Sequence, residues 1–391
     1  MSAPASLAVR VLTSMDDVPQ GAWDALLTDA QGKPFVEWRW LRTLEVSGSV
    51  SESTGFWPRH LTLWRGDTLV AAAPGYLRDR SLGEYLWDGD WAETAQRAGI
   101  AYYPKWVLAS PLSPLTSSRF LVAPGENRRV LIDHLIREAL VRAREAGASG
   151  VHALFPAETE SEVLQAWGFG VRLNVQYHWE RDGESDFEGF LNRLTSKRRN
   201  QIHRERRALG AQGISIRTVR GGDLSLVDPQ EAYRHHAATW EKHGSGTPLL
   251  TPTFFEQAFL HLRHRLEWVE ARQGDNLVGA AWNVADDDVL YGRYWGSHHE
   301  LPFLHFNVCL YHPIEECLAL GRKRFEPGAG GEHKLVRGFQ PRLTASAHRI
   351  FHPGLERAVH GYLALERDAV LSGLPRWARE SGLKTARGPN Q

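Results

Sequence analysis

The two halves of this chain read in the same order of elements, and that repetition constrains the fold more than any single motif does. In the first half, residues 7–11 form an apolar strand, 18–27 a short helix entered through Asp16 and Asp17, and 61–64 with 69–77 a hairpin turning at Arg65-Gly66-Asp67. A helix over 128–146 carries Val130, Leu131, Leu135, Ile136, Leu140 and Val141 at helical spacing and closes at Gly147, with a strand following over 151–155. The second half gives a helix (187–208), a strand (214–219), helices 230–242 and 252–264, and a hairpin of 266–272 with 277–284. Strand 289–295, a helix over 306–320 bent at Pro313 and strand 323–326 complete it. From Gly361 a helix to about Leu371 leads into a polar tail expected to pack poorly.

The join falls near residues 171–179, and no sequence identity between the halves accompanies the shared order. The expected fold class is α/β (α+β). Its domains are 1–174 and 175–360, followed by a C-terminal helix and tail, 361–391. A length of 391 residues suits two domains of ordinary size, and 42% hydrophobic residues exclude disorder as the main state. The 46 basic residues are balanced by 46 acidic ones, which excludes a nucleic-acid coating protein but permits a local basic patch.

Two cysteines, Cys309 and Cys317, cannot build a disulfide framework, and eight helical steps would hold them about 12 Å apart. The N-terminus lacks a secretory pattern, and no apolar run approaches the roughly 20 residues of a membrane span. Cytoplasmic residence without an integral membrane segment is the expectation.

Residues 291–341 concentrate Arg293, His305, Glu326, Glu332, His333, Lys334 and Arg337 around Gly328, Gly330, Gly331 and Gly338. Polar groups that a core cannot absorb thus lie beside backbone that can take positive φ, which reads as a pocket wall. The alternative is that Glu326, Lys334 and Arg337 pair with one another while the glycines make turns. No metal motif, nucleophile elbow, Walker loop or dinucleotide fingerprint occurs, and His235-His236 and His298-His299 read as solvated surface.

Residues 193–220 carry nine Lys and Arg against one acid, Glu205. Leu191, Leu194, Ile202 and Leu209 give this stretch an apolar stripe, leaving Lys197, Arg198, Arg199, Arg204, Arg206 and Arg207 for phosphates or an RNA backbone, or for a plain solvated face. In the first half Glu84, Asp88, Asp90 and Lys105 sit among rings, Tyr103 included, either paired or used. Trp23, Trp38 and Trp40 read as core.

In this order, the strings PRHL (58–61), GEY (83–85), YYPK (102–105), QYHW (176–179), SKRR with RERR, LYGRYWG (290–296), LHF, PIE, FEPGAGGEHK (325–334) and RGFQP (337–341) resemble the bacterial FemAB-like proteins, over about residues 35–352. The resemblance implies two tandem GNAT-like domains, each a mixed, mostly antiparallel sheet flanked by helices. It also implies transfer of an amino acid from an aminoacyl-tRNA, or another activated acyl donor, to an amine of a peptidoglycan precursor. Two departures are visible. After 289–295 the run GSHHELPFLHF lacks the glycines that hold a coenzyme A pyrophosphate, and Gly330 stands where this branch usually has Gln.

Aminolysis of an activated ester needs a base with pKa near 7 and donors for an oxyanion. Glu332 and His333 are the expected bases, Lys334 and Arg293 the groups that stabilise negative charge, and amides near Gly330 assist. Substrate contacts are expected from Glu84, Asp88, Tyr103, Lys105, Lys197, Arg198, Arg199, Arg204, His305, Glu326, Gly330 and Arg337, with no metal and no cofactor. A non-catalytic twin-GNAT binding protein and a coenzyme-A-dependent N-acetyltransferase are the competing readings.

Overall fold

The computed structural model describes residues 7–82, 84–242 and 248–384. The chain divides into two compact units: residues up to Asn174 with Thr344–Ala369, and Val175–Leu343 with residues from Val370 on.

In the first unit the strands are β1 (Leu7–Leu12), β2 (Phe56–Pro58), β3 (His60–Arg65), β4 (Thr68–Ala73), β5 (Gly75–Arg78), β6 (Lys105–Leu108), β7 (Leu121–Val122) and β8 (Gly150–Leu154). The strand β9 (Gly170–Glu180) carries the chain into the second unit. There follow β10 (Ile214–Arg220), β11 (Leu266–Gln273), β12 (Asn276–Ala285), β13 (Val289–Gly296) and β14 (Arg324–Glu326), and β15 (Gln340–Ile350) leads back.

The first unit holds one sheet ordered β1-β3-β4-β7 and a second ordered β15-β8-β6-β5-β2. The expected strand 69–77 is two strands in different sheets. Pro74 separates them because it has no N–H to give a continuous ladder. The helix Arg128–Glu145, capped by Asn127 accepting from Val130 N at 3.2 Å, lays Leu131, Leu135, Ile136 and Ala139 against Leu63, Val70, Trp106 and Val151. Val130 and Val141, counted in that stripe from spacing, face solvent instead. Trp23 and Trp40 are buried as expected, and Trp38 is half-buried with its indole N–H on the carbonyls of Met15 and Val18.

The second unit is ordered β10-β11-β12-β13-β14-β9. Among the described residues its pairs are antiparallel except β13 with β14, and in the first unit β6 with β8 is likewise a parallel pair. The expected helix 187–208 is two helices, Phe187–Arg193 and Ser196–Gly210. They break where Leu194 takes an extended backbone, bridges Leu383 and sends its side chain into the core. The helix Pro353–Glu380 is longer than expected, and the tail is packed as far as Lys384, whose N–H reaches Arg193 O at 2.8 Å. The expected kink at Pro313 is displaced. The chain widens into a π turn over Asn307–Tyr311, and Pro313 falls in the first turn of the α-helix His312–Ala319, where its missing N–H does least harm.

His235 and His236 are buried, contrary to the solvated reading. Their helix (Pro229–Lys242) lies so close to β13 that a side chain at Gly296 would overlap the His235 carbonyl. Both cysteines are free.

Candidate active site

The parallel pair in the second unit is short. Val289, Leu290 and Tyr291 of β13 face Arg324, Phe325 and Glu326 of β14, and β14 then ends while β13 runs on to Gly296. Pro327 turns the chain away at the fork, against Gly292, where an added Cβ would lie 3.1 Å from the Pro327 Cα. On its other edge β14 pairs antiparallel with β9, Arg324 facing Glu180 and Phe325 facing Trp179. Glu326 therefore sits at the fork between Tyr291 and His178, at the last rung of β14.

Glu326 is 6% exposed. Arg324 Nε lies 2.8 Å from its Oε1, His178 Nε2 lies 3.9 Å from its Oε2, and Oε2 makes no hydrogen bond. Burial pushes its carboxyl up to about 7, with Arg324 and Arg293 pulling the other way. The same burial, reinforced by Arg324, Arg342 and Lys334, pushes His178 down to about 3, so its imidazole is neutral and the 3.9 Å approach is not an ion pair. Gln176 is buried two residues before it on β9, its Oε1 3.5 Å from His178 Nε2.

The glycine-rich turn leads from Glu326 to the 3-10 helix Glu332–Arg337. Lys334 folds back beneath the turn, its Nζ donating to the carbonyls of Gly328 (2.8 Å) and Gly330 (2.7 Å), with Ala329 at 3.4 Å. Burial pushes that amine down to about 8. It holds the turn rather than a carboxylate. Gly330 takes φ +68°, which the turn requires. Arg337 is buried with Glu205 (2.9 Å) and Tyr311 (2.7 Å) and stacks on Phe306, tying the basic helix to this segment. Neither expected reading of the cluster holds whole: Glu326, Lys334 and Arg337 each have a different set of neighbours. Glu332 is exposed. His333 is half-buried against His305 and Phe306, with Nε2 unbonded, and burial lowers its pKa. His305 is pushed down to about 4 by burial and borders a cavity of about 520 Å³ with Trp295, Leu301 and Leu304. Arg293 is half-exposed on β13, close enough for its charge to be felt at Glu326.

On the basic helix, Lys197, Arg204 and Arg207 are exposed, and Arg198 and Arg199 reach only the amides of Gln201 and Asn192. Among the described residues no carboxylate pairs with any of the five. Arg206 differs, holding both oxygens of Glu315 and lying over the Phe187 ring. This helix borders a cavity of about 840 Å³, lined also by His312, Glu188 and Glu316, and Glu326 takes no part in it.

The first-unit candidates form a separate buried network. Lys105 Nζ reaches Glu84 and Asp88, each at 2.6 Å, and Ser81 at 2.7 Å. Arg78 Nε takes the other Glu84 oxygen at 3.0 Å, Tyr102 donates to Asp88 at 2.8 Å, and Tyr103 meets Ser81 at 2.8 Å. Burial opposes the charge on Lys105, but Glu84 and Asp88 outweigh it and hold its pKa above the ordinary value. These charges are paired with each other. Beside them His152 and His348 share an Nδ1–Nδ1 hydrogen bond of 2.8 Å, and Ser346 meets His348 Nε2 at 2.7 Å. Arg324, His178, Gln176 and Tyr311 were not singled out in the sequence, and Glu205 entered only as the one acid of the basic stretch. Period-two reading of QYHW and RFE would have placed 176 with 178, and 324 with 326, on shared faces.

The site is thus a buried carboxyl, pushed up to about 7, at the fork of a parallel strand pair in an α/β protein. The chain belongs to the FemAB-like family, described as peptidoglycan biosynthesis/recognition, whose model matches residues 14–385. No curated protein sequence matches it. Among solved structures it is similar to FemX, at 13% identity and TM-score 0.52 over 88% of this chain and 98% of that one. It is also similar to a conserved protein of unknown function from Bacteroides thetaiotaomicron, at 9% identity and TM-score 0.51 over 88% and 100%. The strand pairings bear out the mixed, mostly antiparallel character of the fold, and the chain divides into two units.

Proposed function

We propose that this protein forms an amide bond in peptidoglycan biosynthesis, moving an aminoacyl group from an activated ester to an amine of a cell-wall precursor, with Glu326 as the general base. The observation that carries the reading is the Glu326 carboxyl, pushed up to about 7 and holding one oxygen without a hydrogen bond. An attacking amine must shed a proton as the C–N bond forms. A carboxylate half-ionised at neutral pH accepts that proton, and as an acid it can return it to the departing alkoxide. Arg293 and Arg324 supply positive charge beside the developing oxyanion. Glu332 and His333 are the bases expected from sequence, but Glu332 lies in solvent and His333 has its basicity lowered.

The donor is an aminoacyl-tRNA. Five cations that have no carboxylate partner among the described residues, on one helix, suit an RNA backbone, where each phosphate contact releases counterions. Such a donor places the reaction in the cytoplasm, and among the described residues no helix is long and apolar enough to cross a membrane. The test is to incubate the protein with charged tRNA and a muramoyl peptide bearing a free side-chain amine, and to look by mass spectrometry for an amide-linked aminoacyl group. Acylation from acetyl coenzyme A, with none from charged tRNA, would overturn the donor.

A further inference from the structure

In the first unit, between β5 and the helix Gly89–Arg97, Glu84 and Asp88 turn inward while Tyr85 and Trp87 face outward. Glu84 and Asp88 are fixed on Lys105, Arg78 Nη2 donates to Leu82 O at 2.7 Å, and Arg172, itself bidentate on Glu366, donates to Trp87 O. Between these anchors Trp87 is 74% exposed and Tyr85 is 48% exposed. Tyr85 also takes φ +57°, a conformation costly for a bulky side chain. Buried ion pairs add little stability over apolar packing, and an exposed indole forfeits its burial. What the arrangement achieves is a rigid presentation of two rings, which removes ordering cost from any binding event.

The charges around the rings limit the ligand. Asp79 pairs with Arg80, and Glu93 with Arg97, which leaves the exposed Asp90 as the remaining charge of the loop and following helix. A neutral to slightly acidic surface repels RNA and anionic lipid, whereas the C–H face of an uncharged sugar stacks on an indole without needing charge. We infer that Trp87 and Tyr85 form a stacking platform for a saccharide ring of the cell-wall precursor. This rests on reading the acceptor as such a precursor.

The experiment is calorimetric titration of an uncharged amino-sugar disaccharide, di-N-acetylchitobiose, into the wild type, Trp87→Ala and Trp87→Phe, with melting temperatures measured on all three. Trp87→Ala should weaken binding at least tenfold, Trp87→Phe by no more than about threefold, and both should melt with the wild type. No binding by the wild type at millimolar disaccharide, or equal binding by Trp87→Ala, overturns the inference. So does Trp87-dependent binding to phosphatidylglycerol vesicles without disaccharide binding. Turnover is read separately on a sugar-free peptide amine. Trp87-dependent disaccharide binding with no turnover on any acceptor would sink the transferase reading and leave the platform standing.

Discussion

Glu326 of β14 and His178 of β9 stand at adjoining rungs of one sheet, Oε2 and Nε2 3.9 Å apart, and burial drives their ionisation in opposite directions. The acid is pushed up to about 7 and the base down to about 3, so each favours its neutral form. The pair puts a carboxyl of raised pKa next to an imidazole that carries no charge.

The first prediction follows from the sign of the Glu326 shift. Its folded pKa lies above the ordinary 4.5, so folding favours the protonated form. That contribution is fully present below about pH 4.5 and is lost as pH rises through about 7. Glu326→Gln, which cannot ionise, should be more stable than the wild type at about pH 8 and no more stable at about pH 4.5. Equal denaturation midpoints at both values would show a carboxyl with ordinary acidity.

The buried imidazoles predict the opposite slope. His152 is pushed down to about 3 and His348 well below 6.5, chiefly by burial. Their contribution is present above about pH 6.5 and lost as pH falls toward about 3, because the unfolded chain takes up protons that the folded one cannot. His152→Phe should flatten the loss of stability between about pH 6 and 4, as measured by urea unfolding. An unaltered slope would place the acid sensitivity elsewhere.

Lys105→Met tests the first-unit network. Removing the ammonium leaves Glu84 and Asp88 facing each other in a buried site, with Arg78 answering one of them. A loss of roughly 3 to 5 kcal/mol is expected, the scale for breaking a buried ion pair by removing one partner. A change under about 1 kcal/mol in chemical denaturation would show these charges to be less desolvated than the geometry requires.

Much of this was legible in the sequence. The repeated element order anticipated two mixed α/β units, and Leu191, Leu194, Ile202 and Leu209 are all buried, although the helix expected to carry them breaks at Leu194. What spacing could not show was partnership. Lys334 looked like a catalytic cation until its three carbonyl acceptors came from the turn immediately before it. Arg337 looked like a substrate ligand until Glu205, 132 positions away, proved to be its partner. Glu326 passed as one polar residue among several, because its ionisation is set by strands β9 and β13, distant in sequence, and no local pattern records burial by distant strands.

The basic helix yields a further prediction. Lys197, Arg204 and Arg207 are exposed and lack carboxylate partners among the described residues, so replacing all three by Gln should leave the melting temperature almost unchanged. Affinity for tRNA should drop, and the slope of log K against log salt should flatten by about 2 to 3 if each contacts one phosphate. An unchanged slope would return the helix to a solvated face.

The central claim is that Glu326 takes the proton from the attacking amine. Single-turnover transfer by Glu326→Gln, with charged tRNA and a muramoyl peptide amine at saturation, measures this most directly, alongside the melting temperature of the same preparation. The account predicts a rate lowered by about 10²-fold or more in a folded protein that still binds both substrates. A folded Glu326→Gln that transfers at the wild-type rate would contradict it.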